Sequence, residues 1–147
     1  MKKIPFSPPD ITVSEVDLVS GALYSSWITT GPKTKEFERK IAEYCHTDKA
    51  VCLNSATACM ESILRVLGVG PGDEVIMVDT APDSFEMDYD KLVEAITPNT
   101  KVVIPVDLGG VICDYDRIYA SLESKRHLFN PANEIQKLFG RVIVLAD

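Results

Sequence analysis

From Lys49 onward, short runs of valine and isoleucine alternate with amphipathic stretches, and this rhythm constrains the fold more than any other feature of the chain. The runs are Ala50–Leu53, Val75–Val78, Val102–Val106 and Val142–Ala146. They are apolar throughout rather than at every second position, as expected of parallel strands buried on both faces. Between them the spacing predicts helices over Thr57–Leu67, Asp90–Ile96, Asp114–Glu123 and Pro131–Phe139. Gly68, Pro98 and Gly140 supply stops. Strand and helix in alternation make the expected class α/β, a three-layer, mainly parallel sheet with helices on both faces.

Two helices are expected ahead of this region. Thr12 and Glu15 stand at capping-box spacing before Val16, Val19 and Leu23, predicting a helix over Thr12–Leu23. A second, Thr34–His46, carries Phe37, Ile41, Tyr44 and Cys45 on one stripe, with Lys35, Glu38, Arg39 and Glu43 opposite. The only linker-like stretch is the proline-bearing arm Ile4–Asp10, so one domain is expected. The last strand has nothing after it to cover it, which suggests a fragment.

With 147 residues, 46% hydrophobic and 25% charged, the chain has the composition of a globular protein. Its net charge of -7, with acids scattered along the chain, offers no basic patch for a nucleic acid or an anionic membrane. No apolar run reaches the roughly 20 residues of a membrane span, and the N-terminus lacks the apolar core of a signal peptide. The expectation is a cytoplasmic protein. Four cysteines without a CxxC pair, and two separated histidines, favour free core thiols over zinc or disulfides.

In open α/β sheets ligands bind at the carboxyl ends of the strands. Asn54-Ser55-Ala56-Thr57-Ala58 joins a strand to a helix through small residues, leaving helix-start N–H groups and hydroxyls free for a phosphate. Ser55 or Thr57 serving only as a cap is the simpler reading of these residues alone. Asp147 ends an apolar strand, where a carboxylate is costly unless it meets a cation or a protonated ring nitrogen. Asp107, before Leu108-Gly109-Gly110, fits either that role or a turn. Asp83, Glu86, Asp88 and Asp90 read as a polar loop and helix start rather than a metal cage. There is neither a P-loop nor a GxGxxG.

Five motifs occur in order: Thr30-Gly31-Pro32 with Phe37-Glu38; Asn54 to Ala58; Gly70-Pro71-Gly72-Asp73-Glu74-Val75-Ile76; Ile96-Thr97-Pro98-Asn99-Thr100-Lys101; and Val142 to Asp147. Together they resemble the DegT/DnrJ/StrS family of pyridoxal-phosphate aminotransferases, which aminate nucleotide-linked keto sugars. The resemblance covers almost the whole chain. It implies the large domain of a fold-type-I transferase and a homodimer, with glutamate or glutamine as amino donor. It also implies that Ser55, Ala56 and Thr57 hold the phosphate of pyridoxal 5'-phosphate (PLP), that Asp147 keeps the pyridine nitrogen protonated, and that Thr29, Thr30 and Gly31 lie near the substrate entrance.

The chain departs from the family pattern in three places. Ala56 replaces the usual glycine. Between Ile76 and Val78-Asp79 the family carries a further segment, with the aromatic residue that stacks on the cofactor, and a jump in the chain is expected there, at Ile76 to Met77. None of the ten lysines aligns with the Schiff-base lysine, which in the family lies beyond the position of Asp147. The chain alone is therefore expected to be inactive, as the N-terminal part of a cofactor-binding domain. The alternative is a non-catalytic α/β interaction module derived from that family.

Overall fold

In a computed structural model, residues 8–147 are described, and residues 4–7 of the N-terminal arm lie outside them. The chain divides into two units, Met1–Cys52 and Leu53–Asp147, where the sequence suggested one domain. In the first, α1 (Val13–Tyr24) starts at the expected capping box: Thr12 N donates to Glu15 Oε2 at 2.6 Å, and Thr12 Oγ1 accepts from Ser14 N at 3.2 Å. The second helix, α2 (Pro32–Tyr44), starts at Gly31 with Pro32 in its first turn, where a missing N–H costs nothing. Its expected apolar stripe does not pack, since Phe37, Ile41 and Tyr44 are exposed and only Ala42 is buried.

The second unit contains α3 (Ala56–Val66), β1 (Glu74–Ile76), α4 (Tyr89–Ala95), β2 (Thr100–Val103), α5 (Tyr115–Ser124), α6 (Glu134–Phe139) and β3 (Ile143–Val144). The strands form a parallel sheet in the order β1-β2-β3, with Val75 opposite Val102 and Val103 opposite Val144. The α/β class thus stands. Leu92 of α4, Ile118 of α5 and Val103 of β2 are fully buried, and Ile76, Leu122 and Val142 pack with them. Burying each such side chain contributes about 1.5–3 kcal/mol.

The expected strand Ala50–Leu53 does not form. A strand exists only where a neighbour completes its ladder, and the Cys52 N–H instead donates to Glu38 Oε1 at 2.9 Å. After Ile76 the chain leaves the sheet, with Met77 exposed. A sheet position lost from the middle would strand backbone groups in the core. Here β1 is an edge strand, so a neighbour absent beyond it leaves the β1-β2-β3 ladders whole.

Polar contacts fix the amino end of the sheet. Buried Lys101 donates from Nζ to Pro98 O at 2.9 Å and Asn130 O at 2.7 Å, and lies 3.7 Å from Asp73 Oδ1. Helix α3 also ends at this side of the unit. Gln136 Nε2 and Asn133 Nδ2 both donate at 3.0 Å to Leu67 O, just past its last turn. Gly68 follows with φ +64, and a Cβ there would meet Asn133 Nδ2 at 2.4 Å. Only glycine takes both that conformation and that contact.

Candidate functional site

At the start of α3, Ser55 is extended and its Oγ accepts from Ala58 N at 3.1 Å. The capping role is therefore real. It does not exhaust the site, because Ala56 and Thr57 occupy the first two helical positions, whose N–H groups have no acceptor within a helix. Both residues are exposed, and the Ser55 hydroxyl keeps its own proton to donate. Two amides and a hydroxyl at the positive end of a helix suit a phosphate.

Asp147 lies where the β2–β3 ladder continues past its last assigned pair. Leu145 N donates to Val103 O, Asp147 N to Pro105 O, and Asp107 N to Asp147 O, each at 3.0 Å. The structure thus brings together the two strand-end aspartates, Asp107 and Asp147. Asp147 is exposed, which suits a carboxylate that meets a cation from solvent.

Asp107 is tied down as well. Its Oδ1 accepts from Cys113 N at 2.8 Å and its Oδ2 from the Tyr115 hydroxyl at 3.0 Å. The Cys113 amide, helped by Tyr115, holds the Asp107 carboxyl below the usual carboxylate range. Burial, then the Asp107 hydrogen bond, pushes the Tyr115 phenol up to about 12. Burial likewise raises the Cys113 thiol, whose Sγ donates to Val106 O at 3.4 Å. The turn that closes this loop has Gly109 and Gly110 at φ +66 and +83, which bears out the turn reading of Asp107. Tyr115 was missed, because only the folded turn carries it back to Asp107.

Thr29, Thr30 and Gly31 belong to the first unit. Trp27 Nε1 donates to Thr30 O at 3.1 Å, and the indole lies so close over Gly31 that a Cβ there would fall 2.0 Å from Nε1. Beside them is a cleft of about 450 Å³, lined by Ala22, Trp27, Ile28, Thr29 and Pro32 among others. In the acidic loop, Asp88 caps α4 by accepting from Asp90 N and Lys91 N. Among the described residues no cluster of His, Cys, Asp and Glu could hold a metal ion. Of the four cysteines, only Cys113 is a core thiol, and Cys45 is exposed.

The sequence profile of the DegT/DnrJ/EryC1/StrS aminotransferase family matches residues 9–81 and 76–128. The two pieces overlap at 76–81. The spore coat polysaccharide biosynthesis protein SpsC of Bacillus subtilis is 36% identical over 138 residues, which span 80% of this chain and 36% of that protein. A Streptococcus pneumoniae protein described as a sugar aminotransferase, in its PLP form, superposes with a TM-score of 0.95 at 51% identity. That match covers 99% of this chain and 43% of the other. NtdA of Bacillus subtilis, with bound cofactor PMP (pyridoxamine phosphate), gives a TM-score of 0.74 at 31% identity over 88% of this chain and 36% of the other. This chain therefore spans well under half the length of each of these relatives. No helix among the described residues is long and apolar enough to cross a membrane.

Proposed function

Because this chain belongs to the DegT/DnrJ/EryC1/StrS aminotransferase family, we propose that it is the N-terminal part of a PLP-dependent aminotransferase. The reaction we assign moves an amino group from glutamate or glutamine to a nucleotide-linked keto sugar. The observation that carries this reading is the 51% identity to the PLP-form structure across 99% of this chain. The two-piece profile match supports a segment, present in relatives, that is lacking here near 76–78.

The cofactor, when bound, supplies a pyridinium ring that withdraws electrons from the reacting carbon. In our reading the Ala56 and Thr57 amides and the Ser55 hydroxyl bind its phosphate, where the partial positive charge of the α3 N-terminus opposes the phosphate charge. The Asp147 carboxylate holds a proton on the ring nitrogen. Helix α3 ends at the amino side of the sheet, among Asn133 and Gln136, which supports its start facing the carboxyl side, where Asp147 lies. Thr29, Thr30 and Gly31 border the substrate entrance. The exposed apolar residues Val16, Val19 and Leu23 of α1 suit a homodimer.

Neither feature supplies the amine that exchanges with substrate. Lys101, the buried lysine, is occupied by two carbonyls at the other end of the sheet. The chain alone is accordingly read as inactive.

The test is Thr57→Glu. A carboxylate among the phosphate-binding amides should abolish binding of PMP, measured by fluorescence titration. Unchanged affinity would remove the α3 start from the site.

A further inference from the structure

We infer that Asp107 and Tyr115 are positioning residues for Asp147, a claim that rests on the cofactor reading above. The backbone of Asp147 is held on both sides by the segment after β2: its N–H donates to Pro105 O and its carbonyl accepts from Asp107 N, each at 3.0 Å.

The clamp is only as rigid as Asp107, which is followed by the glycine turn Leu108–Gly110 with its left-handed backbone. The Asp107 side chain compensates. It spans the turn to the Cys113 amide at 2.8 Å and the Tyr115 hydroxyl at 3.0 Å, and Tyr115 is the first residue of α5. Helix α5 is anchored in turn by fully buried Ile118. A chain of contacts therefore runs from the core through Tyr115 and Asp107 to the backbone of Asp147. A carboxylate that must meet a ring nitrogen within hydrogen-bond distance gains from each link, as metal ligands gain from the groups that orient them.

The experiment uses the intact chain and PMP as the probe, which needs no lysine to bind. Affinity is read by fluorescence, and the near-ultraviolet absorption band of bound PMP reports protonation of its ring nitrogen. Tyr115→Phe keeps the ring that packs. Asp107→Asn keeps an acceptor for Cys113 N should Asp107→Ala fail to fold. Tyr115→Phe and Asp107→Ala are expected to weaken PMP binding about tenfold and to shift the absorption band in the direction given by Asp147→Asn. In the Asp147→Asn background they should have no further effect. If Asp147→Asn weakens binding while Tyr115→Phe and Asp107→Ala bind as the parent does, or if their losses add to it, the positioning role is overturned and the cofactor reading stands. If the parent does not bind PMP, or Asp147→Asn matches it, the cofactor reading fails and takes the positioning role with it.

Discussion

Tyr115 is the side chain whose titration says most about its surroundings. Burial first, and then the hydrogen bond to Asp107, raises its phenol from 10.0 to about 12. A group that binds its proton more tightly when folded stabilises the fold fully below its unfolded pKa and loses that contribution as pH rises through the folded value. Alkaline stability should therefore fall between pH 10 and about 12, and Tyr115→Phe should flatten this arm. Chemical denaturation at stepped pH checks it, and an unchanged alkaline slope would contradict it. The aspartates were legible in the sequence as strand-end carboxylates. The partner of Asp107 was not, because the contact depends on a turn that Gly109 and Gly110 alone permit. Ser55 was legible as the cap of α3, and the cap uses its lone pair and leaves its proton.

Among the elements, the tie between α3 and α6 sets where the candidate phosphate site begins. Gln136 is fully buried, its Nε2 donating to Leu67 O at 3.0 Å and its Oε1 accepting from Ala132 N at 2.8 Å. Gln136→Leu keeps the volume and orphans the Ala132 N–H, while Leu67 O keeps its bond from Asn133 Nδ2, so it should cost about 1–3 kcal/mol. Urea denaturation would measure this, and a loss under about 0.5 kcal/mol would show that the tie is idle. The helices and three of the four strands could be read from periodicity, because each either buries a stripe or completes a ladder. Ala50–Leu53 has the composition of a strand but lies at the division between the two units, with no strand beside it. Periodicity records what a segment can bury and is silent on whether a neighbour is there to receive it. The exposed stripes of α1 and α2 have the same explanation.

At the scale of the whole molecule, the family pattern is carried by segments spread over both units, and we propose that none of the ten lysines present is the one on which the family's chemistry turns. Borohydride reduction of the intact chain with PLP should accordingly fix no adduct on a single lysine. Mass spectrometry that found one lysine specifically labelled would refute the inactive reading. The central claim is that one bound cofactor meets both the start of α3 and the end of the β2–β3 ladder. The most direct measurement is an amide NMR titration of the isotopically labelled chain with PMP. The account predicts that the resonances of Ala56, Thr57 and Asp147 move together along one saturation curve. Shifts confined to the α3 start, with Asp147 unmoved at saturation, would reduce the site to a simple anion-binding helix end and contradict the account.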